Sequence, residues 1–262
     1  NVPMVGGKLV LPGPFMDGKS LFELMTAEKC NKTCAVPTVM TFLQDYLDSE
    51  NLQIPYMSDI YIGGSAVPQS MIEEFETKYD AAVKHGWGMT ELVVGTFNCN
   101  LPFMKELSFE QRMKLLSKQG RPAFGMEIKI VDDDGKSLPH DGVAFGKLMA
   151  RGPRVIERYY KADKSALDSN GWFDTGDVST IDENGFMQIT DRAKDIIKSG
   201  GEWISSVDIE NSAVRHPEVQ IAACLGVKHA KWEERPLLIV VKKEGFNPTK
   251  KSILDVIAQE HA

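Results

Sequence analysis

The stretch that decides the fold is residues 171–204, GWFDTGDVSTIDENGFMQITDRAKDIIKSGGEWI. The turn sequence DENG (182–185) separates two strand-like runs, which predicts a β-hairpin. Because two antiparallel strands of similar length bring the chain back to its starting level, we expect Arg192 to return to the end that carries Asp177. A carboxylate and a guanidinium at one rim are suited to a polar ligand that carries a diol and phosphates.

Composition limits the classes of function. The 262 residues carry 37 acidic and 30 basic side chains, a formal net charge of −7, which argues against a general nucleic-acid binder. No apolar run reaches the roughly 18 residues of a membrane-spanning helix. The four cysteines are scattered; Cys30 and Cys34 are too widely spaced for a metal pair, and no matching pair follows. Free thiols and a cytoplasmic location are therefore expected.

Short apolar runs alternate with helical patterns up to about residue 120, which predicts an α/β sheet. Ser20, with Glu23 three positions later, has the spacing of a capping box and is expected to begin the first helix. The predicted elements are strands over 8–11, 33–39 and 59–64 and helices over 20–30, 38–47, 69–79 and 109–119.

Two glycine-rich segments in this part are candidates for ligand contact. Gly63 and Gly64 end a short strand, where the absence of side chains lets backbone approach a ligand. In residues 81–91, AAVKHGWGMTE, Trp87 lies between two glycines, so we expect both faces of its ring to be clear for stacking on a flat base. A hydroxyl followed by a carboxylate then suits phosphate and Mg²⁺. The alternative is a surface loop whose tryptophan packs on the protein core.

The remainder of the chain divides into two parts. Short strands with turns between them predict a small β-barrel or sandwich subdomain over about 121–193. After Lys194 the pattern becomes a small α+β unit, with a helix from Ser205 or Ser206 to about Arg215, strands over 219–227 and 236–242, and a second helix from Thr249. Attachment at a single point makes motion of residues 194–262 the expectation.

Four blocks occur together: GGSAVP (63–68), HGWGMTE (85–91), WFDTGD (172–177) and DRAKDIIKSGGEWI (191–204). In these blocks the chain resembles the AMP-forming acyl-CoA synthetases of the adenylate-forming superfamily. The resemblance implies that residues 1–193 are the C-terminal part of a large AMP-binding domain, α/β to about 120 and β-barrel over 121–193. It also implies that residues 194–262 are a small mobile lid domain.

The resemblance also implies an activity and its residues. The family uses ATP to convert a carboxylic acid to an acyl-AMP, releases pyrophosphate, and passes the acyl group to coenzyme A, with Mg²⁺ as the metal; a fatty or other apolar acid is expected here. Trp87 would stack on adenine, Asp177 and Arg192 would hold ribose and phosphate, and Lys194 would be the hinge. The implied residues are Thr90, Glu91 and Lys194 for catalysis, Glu91 for the metal, and Gly63, Gly64, Ser65, His85, Gly86, Trp87, Gly88, Met89, Asp177, Arg192, Gly200, Gly201 and Glu202 for cofactor binding.

Two family elements are not found in the 262 residues. Neither the Ser/Thr/Gly-rich phosphate loop nor the lid lysine is matched, so we expect the chain to be the middle and latter part of a longer enzyme and to be inactive alone. Three alternatives stay open: a nucleotide-binding fragment without turnover, an adenylation domain that loads a carrier protein, and, for Asp177 and Arg192, a plain ion pair of the hairpin.

Overall fold

The computed structural model describes residues 2–200 and 202–259. These residues form two compact units. The first contains the residues up to Glu127 together with Arg151–Ala166 and Glu183–Gln188. The second contains Ile128–Ala150, Leu167–Asp182 and the residues from Ile189 onwards. The predicted boundary between residues 193 and 194 is that of a domain expected to move, and it stays a prediction.

The first unit is the predicted α/β sheet, in which helices connect parallel strands. Its elements are α1 (Gly18–Ala27), β1 (Lys32–Ala35), α2 (Pro37–Ser49), β2 (Asp59–Ile62), α3 (Gln69–Lys78), β3 (Ala82–Trp87), β4 (Thr96–Phe97), α4 (Phe109–Leu116) and β5 (Arg121–Pro122). Strands β1, β2 and β3 run parallel, β3 pairs with β4 and β4 with β5 antiparallel, and the sheet order is β1-β2-β3-β4-β5.

The core of this unit follows the helical spacing of apolar residues. Helix α3 buries Met71, Ile72 and Phe75 in one core cluster with side chains of α2 and of strands β2 and β3. The fold class is therefore confirmed for this part of the chain. Within residues 2–200 and 202–259, no helix combines the length and the apolar composition that crossing a membrane requires.

Two predictions at the start of the chain are wrong. Residues 8–11 form no strand, and both leucines there are largely exposed. Helix α1 begins at Gly18 and is capped by Asp17, whose Oδ1 accepts a hydrogen bond from the Ser20 amide at 3.0 Å. The physical reason is local: Asp17 caps the helix three positions before the serine predicted to do so. Gly18 then lies in close contact with α2, since a Cβ there would be 2.1 Å from the carbonyl oxygen of Phe42.

The segment predicted as a β subdomain, residues 121–193, contains the predicted hairpin and a four-stranded sheet whose residues belong mostly to the second unit. Its strands are β6 (Glu127–Val131), β7 (Phe145–Arg151), β8 (Phe173–Ile181) and β9 (Met187–Arg192), which form a sheet in the order β6-β7-β8-β9. Gly185 has a φ of 80°, so the turn between β8 and β9 requires glycine there. The hairpin prediction is confirmed.

The C-terminal part of the second unit is the predicted small α+β fold. The elements are β10 (Ile197–Ser199), β11 (Glu202–Ile204), α5 (Ser206–Val214), β12 (Val219–His229), β13 (Glu233–Lys242) and α6 (Lys250–Ala258). The sheet order is β11-β10-β13-β12. Ser205 caps α5 by accepting a hydrogen bond from the Asp208 amide, and Thr249 caps α6 by accepting one from the Ser252 amide.

Candidate active site

The ends of strands β2 and β3 lie side by side in the first unit, because the two strands are parallel neighbours. A Cβ on Gly63 would lie 2.9 Å from the carbonyl oxygen of Gly86, so the two glycine segments are in close contact. Gly64 has a φ of 89°, a conformation that glycine adopts without strain. Gly64 and Ser65 are exposed. The structure thus brings together the two segments that the sequence singled out in this part of the chain.

His85 is buried at the end of β3, beneath these glycine segments. Its side chain is only 1% exposed; Nδ1 lies 2.7 Å from the Ser117 carbonyl oxygen, and Nε2 lies 3.3 Å from Nε2 of Gln119. Burial lowers the pKa of His85 to about 4, although carbonyl oxygens of Ser117 and Ser65 favour the charged form. The imidazole is therefore neutral at pH 7. The predicted contact of His85 with a nucleotide stays a prediction.

Trp87 packs on the protein in the conformation described. Its side chain is 7% exposed, and a Cβ on Gly95 would lie 2.1 Å from its Cζ3 atom. The flanking glycines do not leave open space: a Cβ on Gly86 would meet the Phe97 ring at 2.4 Å, and one on Gly88 would meet a backbone oxygen at 2.2 Å. The prediction that both ring faces are clear is wrong, because the glycines admit neighbouring protein atoms instead of a ligand.

Thr90 and Glu91 follow in a turn whose side chains remain accessible. Thr90 is exposed and Glu91 half-buried. Oε1 of Glu91 accepts a hydrogen bond from the Tyr159 hydroxyl at 3.0 Å, and this contact raises the pKa of the Tyr159 hydroxyl. The sequence gives no local signal that Tyr159 contacts Glu91, because 68 positions separate the two residues.

The donor set at Glu91 is compatible with Mg²⁺. Among residues 2–200 and 202–259, no group of three or more His, Cys, Asp or Glu side chains could hold a metal ion. Mg²⁺ is commonly held by one or two carboxylates together with substrate phosphates and water, so a protein cage is not required. A half-buried carboxylate with one oxygen already oriented meets that requirement.

In the second unit, strands β8 and β9 bring Asp177 and Arg192 together. Nη1 of Arg192 lies 2.7 Å from Oδ1 of Asp177; the carboxylate is 1% exposed and the arginine side chain 53%. Gly176, beside the acid, has a φ of 71°, and its carbonyl oxygen accepts a hydrogen bond from the Ala193 amide at 2.9 Å. The predicted meeting of acid and guanidinium is confirmed, and burial of the acid distinguishes it from an exposed surface ion pair.

Asp191 is a buried acid that the sequence did not reveal. It is 2% exposed; Oδ1 accepts from the Arg192 amide at 2.7 Å and Oδ2 from the Ser206 amide at 2.6 Å. The Ser205 hydroxyl donates to the Thr190 carbonyl at 2.7 Å. A carboxylate at a helix N-terminus is stabilising, so this acid fixes the start of α5 to the end of β9.

The segment after β9 contains the predicted hinge and loop residues. Lys194 is exposed in a turn and lines a pocket of about 620 Å³. Gly200 has a φ of 63°, and a Cβ there would lie 2.7 Å from the ring of Trp232. Gly201 lies outside the described residues. Glu202 belongs to β11, and its side chain also lies outside them. The other residues lining the pocket are Ala193, Ile196, Lys198, Lys228, His229, Ala230, Glu233 and Glu234.

Comparison with known proteins gives consistent matches along the chain. Residues 2–160 match the profile of the AMP-binding enzymes, and residues 208–262 match that of the AMP-binding enzyme C-terminal domain. The 3-methylmercaptopropionyl-CoA ligase of Ruegeria lacuscaerulensis is 47% identical over 253 residues, 96% of this chain and 47% of that protein. The medium-chain-fatty-acid–CoA ligase of Ectopseudomonas oleovorans is 47% identical over 263 residues, 100% of this chain and 48% of that protein.

A solved structure gives the same result for the fold. The ATP-bound MatB from Rhodopseudomonas palustris has a TM-score of 0.78 and 26% identity, covering 94% of this chain and 47% of that one. The chain spans about half the length of the curated relatives it matches.

Proposed function

We propose, since this chain belongs to the AMP-binding enzyme family, that the protein it represents is an ATP-dependent acid–thiol ligase. A carboxylate oxygen of the acid attacks the α-phosphorus of ATP, and the bond to the bridging oxygen breaks, which gives acyl-AMP and pyrophosphate. The thiolate of coenzyme A then attacks the acyl carbon, and AMP leaves. Both steps displace a stable anion, so the protein's task is positioning and charge neutralisation.

One observation carries the proposal: a buried carboxylate, Asp177, paired with a half-exposed Arg192 at the end of a hairpin. A carboxylate accepts two hydrogen bonds from a cis-diol, so we assign Asp177 to the two ribose hydroxyls. Arg192 reaches solvent from the same place and is assigned to ribose or phosphate. An ion pair that only stabilised the hairpin would not require the acid to be buried.

The remaining residues take the roles that the family resemblance implies. Gly63, Gly64, Ser65 and residues 85–89 are assigned to the base, with Trp87 contributing through its small exposed part. Thr90 is assigned to the α-phosphate and Glu91 to Mg²⁺, which neutralises phosphate charge when bound. Lys194 is the proposed hinge, and Gly200, Gly201 and Glu202 are assigned to the pantetheine arm of coenzyme A.

We place the acid among fatty or other apolar acids. Two of the similar proteins are named medium-chain and long-chain fatty-acid–CoA ligases. Val93, which follows the Thr90-Glu91 pair, is 70% exposed and has a φ of 66°. A left-handed β-branched residue is strained, and such strain is concentrated at functional sites, so we assign Val93 to the acyl chain. A cytoplasmic location is also proposed, in keeping with four free cysteines.

The test is a panel of acids, from acetate to palmitate, given with ATP and Mg²⁺ to the full-length protein that contains this chain. We expect pyrophosphate release that requires an acid, rises with chain length over part of the series, and is followed by thioester formation with free coenzyme A. ATP turnover without an acid, or no pyrophosphate with any acid, would refute the proposal. Transfer only to carrier-bound pantetheine would instead support an adenylation domain that loads a carrier protein.

A further inference from the structure

The loop over Arg151–Ala166, which belongs to the first unit, reaches back to Glu91. The Tyr159 hydroxyl donates to Oε1 of Glu91 at 3.0 Å, and the Ile156 amide donates to the backbone carbonyl of Glu91 at 2.8 Å. Both partners belong to the first unit. The loop thus holds the main chain and the side chain of Glu91 at once, and two contacts fix an orientation that one would leave free to rotate.

The loop is itself ordered by internal hydrogen bonds. The Ala166 amide donates to the Glu157 carbonyl at 2.8 Å, and the Ala162 amide donates to the Tyr159 carbonyl at 3.1 Å. Tyr159 therefore lies on a loop whose main chain is held by hydrogen bonds that do not involve Glu91. A donor carried by a held main chain limits the positions that the accepting carboxylate can take.

The contact leaves the second carboxylate oxygen of Glu91 available. Within the described residues of the first unit, Oε2 has no hydrogen-bond partner. A carboxylate held through one oxygen can present its other oxygen to a hard cation. Hydrogen-bond partners of metal ligands commonly orient the ligands in this way. Glu91 is only half-buried, so without the tyrosine its side chain would be free to sample several rotamers in water.

We propose that Tyr159 is a positioning residue for Glu91, fixing Oε1 so that Oε2 faces the metal ion of the bound nucleotide. The inference rests on the proposed function, because it presupposes that the site binds a metal–ATP complex. Tyr159 does not touch the substrate in this account and acts only through Glu91.

The chain supplies a matched control in the next residue. Tyr160 is 91% exposed, and its ring contacts Lys161, whose Nζ lies 5.3 Å from the ring centroid. Tyr159→Phe and Tyr160→Phe each remove one hydroxyl from neighbouring positions of the same loop. Any general effect on the loop should appear in both variants, whereas an effect through Glu91 should appear only in Tyr159→Phe.

The experiment uses the full-length protein and two readouts. The first is the Mg²⁺ concentration that gives half-maximal pyrophosphate release; the second is the affinity of the enzyme–ATP complex for Mn²⁺, measured by electron paramagnetic resonance. Tyr159→Phe should raise the half-maximal Mg²⁺ concentration and weaken Mn²⁺ binding about three- to tenfold, the range that corresponds to one hydrogen bond. Tyr160→Phe should stay within about twofold of wild type.

A double-mutant cycle completes the test. In a Glu91→Gln background, removal of the Tyr159 hydroxyl should change Mn²⁺ affinity by less than about twofold, because the group that it orients is already altered. Wild-type metal dependence in Tyr159→Phe, or an equal loss in Tyr160→Phe, would overturn the positioning role. The proposed function would still stand in that case, provided that the wild-type protein releases pyrophosphate. No pyrophosphate release by the wild-type protein with any acid would refute the proposed function itself, and the positioning role with it.

Discussion

Acid should destabilise the first unit through His85. The folded-state pKa is about 4, against an ordinary value of 6.5, because the imidazole is 1% exposed. The unfolded chain therefore takes up a proton first as the pH falls. The stability that neutral His85 preserves is complete above about pH 6.5, is lost progressively between 6.5 and 4, and changes no further below 4. A difference of about 2.5 pKa units corresponds to about 3 kcal/mol.

The assay is urea unfolding of the full-length protein from pH 7 to 4, with wild type compared with His85→Gln. Glutamine keeps a donor for the Ser117 carbonyl but does not titrate, so its curve should fall less steeply than that of wild type. The difference between the two should approach about 3 kcal/mol over this range. His140→Gln is the control, since His140 is exposed. Parallel pH profiles for wild type and His85→Gln would show that His85 does not cause the loss of stability in acid.

Three further predictions concern packing within one unit or the other. Arg192→Ala leaves a carboxylate that is 1% exposed without its cation, so it should lower the free energy of unfolding by about 1–3 kcal/mol. Asp177→Asn should cost less, because water can hydrate the arginine that remains. Equal shifts of the urea midpoint in the two variants would contradict this. Gly95→Ala places a methyl group 2.1 Å from Cζ3 of Trp87 and should shift tryptophan emission to longer wavelength; unchanged emission would argue against the packing. Asp191→Asn weakens the contact with the first amide of α5 and should cost about 1 kcal/mol; an unchanged urea midpoint would show that the contact contributes nothing.

Local chemistry made part of this fold predictable from sequence. The hairpin depends on a four-residue turn with glycine at the position that has a φ of 80°, and the meeting of Asp177 with Arg192 follows from strand length alone. The caps at Ser205 and Thr249 are likewise short-range, because each side chain binds an amide three residues later.

Tertiary contacts decided what the sequence could not show. Gly18, at the start of the first helix, lies against the carbonyl oxygen of Phe42 in α2, where a Cβ would be only 2.1 Å away. Trp87 is buried because Gly95, eight positions later, admits its ring. Tyr159 meets Glu91 across 68 positions, and neither residue carries a local signal of the other. Each of these depends on which elements lie next to one another, and a single sequence does not encode that in a readable spacing.

The proposed function depends most on Asp177 holding the sugar of a nucleotide. The direct measurement is the equilibrium affinity of the full-length protein for AMP, determined by calorimetry for wild type, Asp177→Asn and Asp174→Asn. Asp174 is an exposed carboxylate three positions earlier on the same strand, so it controls for charge and location. Asp177→Asn should lose about tenfold or more in AMP affinity, and Asp174→Asn less than about twofold. Wild-type affinity in Asp177→Asn would contradict this role of Asp177.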